Sequence, residues 1–243
     1  MTLAAEILEV IGWRDGTPNV SDRSSTTSIT IASSVFEQLG ITRLSNVPGQ
    51  TLGSKFETAI KRTLARCLHT LDLDRHWLVG SQHITEFTQY SHLEQIRRLA
   101  EEDRKGTLRA SIGTDYLIKP DITIGILQDE QQDQSQHLHA AVSCKWTIRS
   151  DRVQNIRHEG VVLTRHRRGR QPHIVAVTAE PLPSRLAAIA RGTGELDCVY
   201  HVALPQLRAA CPSGSESEVI LSELIEQDRL RPFASLAEVV AYY

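Results

Sequence analysis

The stretch HAAVSCKWTIRSDRVQNIRHEG, residues 139–160, changes its periodicity midway. Up to Ile148 it alternates: Val142, Cys144, Trp146 and Ile148 share one face, and Ala141, Ser143, Lys145 and Thr147 share the other. From Ser150 or Asp151, either of which could serve as N-cap, the run through His166 reads as a helix. A strand that feeds directly into a helix is the unit of an α/β fold. The flanks repeat the pattern. DITIGIL (121–127) reads as a strand, and the polar QDEQQDQSQH that follows reads as a hairpin-type turn into 139–148. PHIVAVTAE (172–180) is a third strand, PSRLAAIARG a short helix stopped by glycine, and DCVYHVAL a fourth strand. Strands alternating with helices predict an α/β domain with a central mixed sheet flanked by helices.

Upstream, the spacing of Phe56, Ile60, Leu64, Cys67, Leu68 and Leu71 predicts a helix over the 50s and 60s, with Ser54 and Glu57 fitting a capping box at its start. Residues 86–105 read as a second, polar helix. The Ser/Thr/Asp/Gly-rich segment 14–34 reads as an extended loop, either a connector or an arm that orders on a partner. From Pro205 onward the chain is expected to be mostly helical.

At 243 residues, 40% hydrophobic and 23% charged, the chain has the composition of an ordinary globular protein, and a single domain is expected. A net charge of -2 and a pI near 6.6 exclude the overall basic character of an indiscriminate nucleic-acid coat. They leave room for an acidic site and a local basic surface that cancel in the total. Cys67, Cys144, Cys198 and Cys211 form no CxxC pair and suit the reduced thiols of a cytoplasmic protein. No apolar run approaches the roughly 20 residues of a membrane helix. The start MTLAAEILEVIGW lacks the basic opening of a signal peptide, so a cytoplasmic location is expected.

Metal-assisted phosphodiester hydrolysis needs carboxylates to hold the metal and a cation near the attacking water or scissile phosphate. Pro120-Asp121 heads one strand and Lys145 lies on the next, so a hairpin would bring them to one end of the sheet. In the usual acid-x-Lys signature the acid sits two residues before the lysine, and here that place is Ser143. Glu159, fourteen residues after Lys145, can replace the missing charge if its helix packs back on the strand. Each residue has a plainer reading as a loop end, a surface lysine and a solvated helix position. The seven arginines at 149, 152, 157, 165, 167, 168 and 170 stand against Asp151 and Glu159 alone. Such a run is usually a solvated face. Yet Arg149-Ser-Asp151-Arg152 sits at a helix start, where side chains are presented to base edges. Arginine pairs bidentately with guanine, and aspartate accepts from the cytosine amino group. Glu57 either closes its capping box or adds an acid near Asp121. Cys198 and His201 lack the second pair that zinc needs, and Trp146 reads as core.

Asp121, Ser143-Cys-Lys145, the RSDR run and Glu159 together resemble the NgoMIV-type restriction endonucleases, type II enzymes of the group that cuts at a CCGG core. The likeness spans about residues 20–207 and continues through AEPLPSRLAAIARGTGELDCVYHVAL. It implies a PD-(D/E)xK nuclease fold and Mg²⁺-dependent cleavage of double-stranded DNA with two ions per active site. By this resemblance Asp121 bridges the ions and the Cys144 backbone carbonyl supplies another oxygen. Lys145 activates or orients the attacking water. Glu159 stands in for the acid missing at Ser143, acting indirectly on the metal, and Glu57 joins an outer acidic shell. Arg149, Asp151 and Arg152 would read CCGG from the major groove. Arg185 and Asp22 would read an outer G·C pair there, with Ser24 and Gln50 on the minor-groove side, giving GCCGGC cut after its first G to leave four-base 5′ overhangs. The resemblance also implies a homotetramer of two back-to-back dimers and a methyltransferase acting on the same site. Residues 14–50 would then be an arm contacting DNA, 51–210 the nuclease core and 211–243 a helical C-terminal part. Two alternatives stay open from the residues alone. One is a DNA-binding regulator on an inactive scaffold; the other is a repair or recombination nuclease that reads shape.

Overall fold

The computed structural model describes residues 5–41, 49–112, 117–127, 135–192 and 194–242, with the side chains at 5, 49–51, 109, 112 and 150–152 outside the description. The chain opens with α1 (Ala5–Leu8), a two-residue ribbon of β1 (Trp13–Arg14) and β2 (Thr17–Pro18), α2 (Thr26–Gln38) and α3 (Gly49–Leu71). Then come β3 (Trp77–Gly80), α4 (His92–Glu102), α5 (Thr107–Ile112), β4 (Ile122–Leu127) and β5 (Gln136–Lys145). The second half holds α6 (Ser150–His166), β6 (His173–Thr178), α7 (Pro183–Ala190), β7 (Cys198–His201), α8 (Leu204–Ala210), α9 (Glu216–Glu226), β8 (Leu230–Pro232) and α10 (Leu236–Tyr242).

Six strands form one sheet in the order β3-β4-β5-β6-β7-β8. β3, β4 and β5 are antiparallel neighbours, and β5 through β8 are parallel, so the expected mixed sheet is present. Antiparallel strands can be joined by a tight turn, whereas parallel ones need a crossover, here α6 between β5 and β6 and α7 between β6 and β7. Both faces are covered. Ile122, Ile124, Val142, Val175, Val177 and Val199 join one buried cluster with Phe56, Ile60 and Leu64 of α3. Leu138, Ala141 and Ile174 join the other, with Tyr90, Leu93 and Val162 and Leu163 of α6. The pairing steps from Ile124↔Ala140 to Gly125↔Leu138, and this bulge at His139 puts Leu138 and Ala141 on the same face.

Several sequence-based expectations are corrected. β5 ends at Lys145 instead of continuing to Ile148, although Trp146 and Ile148 stay buried. Beyond Lys145 the partner strand β6 has also ended, and the Ile148 N–H donates to the Glu180 carboxylate instead of a ladder carbonyl. The α6 N-cap is Arg149, ahead of both expected candidates, Ser150 and Asp151. α3 begins at Gly49, which makes Ser54 an interior position whose carbonyl accepts from the Thr58 hydroxyl, so the capping box does not form. Within 14–34 the Ser/Thr content hid α2: the Ser25 hydroxyl caps it by accepting from the Ser28 N–H, and Ile31, Ala32, Val35 and Phe36 form its buried stripe. The helix expected over 86–105 is cut to 92–102, because Gln89 and Tyr90 turn inward to bond the main chain at Leu138 and Leu163. The C-terminal part contains β8, a strand that a helical reading omits. Among the described residues no helix is long and apolar enough to cross a membrane.

α3 is fixed over β5 by Phe56, whose ring meets Trp146 edge to face at 5.1 Å between centroids. α6 lies so close to the segment after α7 that a methyl group at Gly160 would overlap the carbonyl oxygen of Glu195 and stand 2.9 Å from its carbon. In an open helix glycine to alanine gains about 1 kcal/mol. Here the clash reverses the sign: Gly160→Ala should destabilise by about 1–3 kcal/mol, as overpacking does, and thermal denaturation that shows an unchanged or higher Tm would disprove the close approach.

Candidate active site

The register that pairs Ile122 with Val142 sets Asp121, one step before β4, against the end of β5. Its Oδ2 accepts from the Lys145 ammonium at 2.7 Å and from the Cys144 N–H at 2.7 Å. Both side chains remain accessible, at 25% exposure for Asp121 and 20% for Lys145. On the α6 side of the strand the Ser143 hydroxyl donates to Glu159 at 2.9 Å. The helix therefore does return its glutamate to the place where the signature's acid is absent. Burial pushes the Glu159 carboxyl above its ordinary pKa, against the lowering pull of the Ser143 bond and the Lys145 charge. Glu57 on α3 is likewise raised, first by burial and then by the charge of Asp121, with lysines 61, 145 and 119 opposing. Of its two sequence readings the capping box does not form, and its carboxyl feels the charge of Asp121.

Among the described residues no three His, Cys, Asp or Glu side chains converge as a ready-made ligand set. Mg²⁺ keeps several waters and is held by one or two carboxylates plus substrate phosphate. Asp121 would be the carboxylate donor. Burial pushes the Cys144 thiol pKa well above its ordinary value, and the resemblance gives the backbone oxygen of this residue to the metal. Cys198 and His201 make no zinc pair: the buried His201 ring spends Nε2 on the Glu180 carbonyl and Nδ1 on the Ala203 N–H, and its pKa is pushed down to about 4 by burial.

A cleft of about 710 Å³ runs beside this center, lined by Glu57, Cys144, Lys145 and Arg149 together with Arg14 and Arg23 of the N-terminal segment. A second cleft of about 430 Å³ contains Asp22, Ser24, Arg149 and Arg185. Arg149 lines both. Four of the expected base readers, distant in sequence, are therefore gathered in one place. Asp22 is paired to Arg185 and also accepts from the Ser24 N–H at 3.0 Å and hydroxyl at 2.7 Å. Those Ser24 bonds, and then Arg185, hold the Asp22 carboxyl well below the usual range. Gln50 is in the first turn of α3, and Asp151 and Arg152 are in the first turn of α6, but their side chains lie outside the described residues.

Sequence reasoning passed over Arg14 and Arg23, which sit in a segment read as loop, and Glu180, the last residue of the apolar run IVAVTAE. The signal for Glu180 was present: a single acid ending a buried strand must find partners to survive there. It is fully buried, and its two oxygens accept from the N–H groups of Ile148 (2.8 Å) and Leu182 (3.1 Å).

An aspartate and a lysine in contact at one end of a mixed sheet, beside arginine-lined clefts, fit a nuclease of the restriction-endonuclease-like fold. The sequence matches the family model described as NgoMIV restriction enzyme over residues 2–137 and 127–241. It is 38% identical over 250 residues to the "Type II restriction enzyme NgoMIV" of Neisseria gonorrhoeae, a match that covers 90% of this chain and 83% of that protein. The chain belongs to the NgoMIV restriction enzyme family and is a type II restriction endonuclease, a site-specific deoxyribonuclease. The regulator and repair-nuclease alternatives are thereby set aside.

The Ser143 bond favours the charged form of Glu159. Ser143→Ala should therefore raise the Glu159 pKa further, so that the carboxyl ionises only at higher pH. Carboxyl-carbon NMR titration would read this, and a lower pKa in the variant would contradict the contact.

Proposed function

We propose that this restriction endonuclease cuts double-stranded DNA at GCCGGC, after the first G, leaving four-base 5′ overhangs, and that it requires Mg²⁺ at two positions per active site. The observation that carries the hydrolytic part of this reading is the contact of Asp121 with Lys145 one short turn away from Arg149 at the start of α6, and the site and overhangs rest on the family resemblance. Asp121 and the Cys144 carbonyl oxygen are the donors that would hold the metal. When bound, Mg²⁺ polarises the phosphate and lowers the pKa of its water. Lys145, already pointed at the Asp121 carboxylate, orients the attacking water and meets the charge that develops on the phosphate. Glu159, held by Ser143, restores negative charge at the position where the signature lacks its acid, and Glu57 contributes from the outer shell.

On the DNA, the arginines at 149 and 152 are suited to the guanines of CCGG and Asp151 to a cytosine amino group. Arg185 and Asp22 form the matching donor and acceptor for the outer G·C pair, with Ser24 and Gln50 on the minor-groove side. A palindrome read by a twofold dimer uses each contact twice, which gives specificity without a basic chain. The family resemblance supports a homotetramer of two dimers in a host whose methyltransferase modifies the same site, and the four free cysteines suit a cytoplasmic location. Light scattering of the purified 27.1 kDa chain tests the assembly directly.

Plasmid digested in the presence of Mg²⁺ should yield discrete fragments whose sequenced ends map to GCCGGC with four-base 5′ extensions. A smear, or ends at a palindrome without the CCGG core, would refute the assignment, and chelation of the metal should stop the reaction. Lys145→Ala should slow cleavage by roughly 10²–10³-fold or more, the scale for losing one charge-stabilising donor, while gel retardation still detects binding to the site. Loss of site-specific binding in that variant would mean that catalysis and reading are not separable as proposed.

A further inference from the structure

Glu180 lies just beyond β6, and nothing in the cleavage chemistry calls for it. A fully buried carboxylate is costly unless its oxygens are satisfied. Oε1 accepts from the Leu182 N–H, which precedes α7, and Oε2 accepts from the Ile148 N–H, which immediately precedes Arg149. The same Oε2 faces the Arg185 guanidinium at 3.8 Å. Arg185 is thus held between two carboxylates, with one nitrogen on Asp22 and another facing Glu180. Arg185 and Asp22 stay partly exposed, at 30% and 27%, while the Glu180 side chain is 1% exposed. The arrangement has a reading face and a hidden support.

We propose that Glu180 is a positioning residue for specificity, a single buried carboxylate that sets both the Arg185 fork and the turn presenting Arg149, and so couples reading of the outer base pair to reading of the core. The inference rests on the assignment of Arg185 and Arg149 as base readers. Three geometric facts support it. Ile148, three residues past the end of the ladder at Lys145 and directly before Arg149, donates its N–H to the Glu180 oxygen, so this side chain ties down the chain where it enters α6. Leu182 is the N-cap of α7, which carries Arg185 two residues into the helix, so the other oxygen fixes that element at its start. The Glu180 main chain is pinned in turn by its N–H on the Thr178 hydroxyl (3.1 Å) and its carbonyl on the His201 ring (3.1 Å). A carboxylate that merely closed a turn would need only its Leu182 bond.

The test compares kcat/KM of the intact enzyme on its own mapped site with that on duplexes carrying one symmetric change, either at the outermost pair or at an inner pair. Glu180→Gln keeps the volume but loses the charge facing Arg185 and one acceptor. It should reduce discrimination at the outer pair by roughly tenfold, within the span of one bidentate base contact, with a smaller loss at the inner pairs. Added to Arg185→Ala, it should cause little further loss at the outer pair, as expected of residues acting through one another. Equal slowing on all duplexes with the ratios unchanged would overturn the proposal, and so would fully additive losses. If circular dichroism shows that Glu180→Gln does not fold, Glu180→Asp, which keeps the charge but is too short to span both N–H groups, must lower the same ratios; full discrimination in that variant also overturns it. Cut-site mapping of the unmodified enzyme judges the GCCGGC reading separately, because the ratios are taken on whatever site is mapped.

Discussion

The antiparallel register of β4 on β5 is the constraint from which the active site follows. With Ile122 opposite Val142, Asp121 reaches both the Cys144 N–H and the Lys145 ammonium. A slip of one residue would turn every side chain of β5 to the other face, moving Lys145 away from Asp121 and Ser143 away from α6. The register is held by burial on both faces, since Ile122, Ile124 and Val142 fill one cluster and Leu138 and Ala141 the other. The parallel pairing of β5 with β6 then forces a crossover, and that crossover is α6. One element consequently satisfies the sheet's topology, brings Glu159 over Ser143 and places Arg149 at the mouth of two clefts.

The charges explain why a DNA enzyme can carry a net charge of -2. Asp121 meets Lys145 and Glu159 meets Ser143, while Arg14, Arg23 and Arg149 line the 710 Å³ cleft. Opposite charges are sorted in space and cancel only in the sum. Such sorting favours local fields over a general attraction to polyanions.

The central strands, the α6 crossover and the Asp121–Lys145 pair were legible because alternation and spacing are local properties of the sequence. The position of Glu159 was legible for a different reason: Ser143 stands where the signature has an acid, and a helix packed back on the strand brings Glu159 to it. The hidden parts depended on tertiary partners. Residues 26–38 are rich in Ser and Thr, and their helix is stabilised by packing Ile31, Val35 and Phe36 into the core more than by propensity. Ser54 and Glu57 have the spacing of a capping box, but α3 is already formed upstream of them. β8 is three residues long and is a strand only because β7 offers an edge. Glu180 looked like the end of an apolar run, and its importance lies in N–H groups contributed by residues 2 and 32 positions away.

The pairing of Asp22 with Arg185 carries one more consequence. In the free protein each already owns an opposite charge, tethered within the same molecule and therefore present at high effective concentration. On the proposed assignment, an outer base pair does not meet two empty hands; it must displace an internal rival that is always at hand. A G·C edge offers acceptors and a donor in the order that meets Arg185 and Asp22 together, whereas a wrong pair presents its donors and acceptors at other positions and leaves the tethered partner the better choice. The protein thereby supplies its own competitor, which sets a threshold that only a complete match at that position crosses.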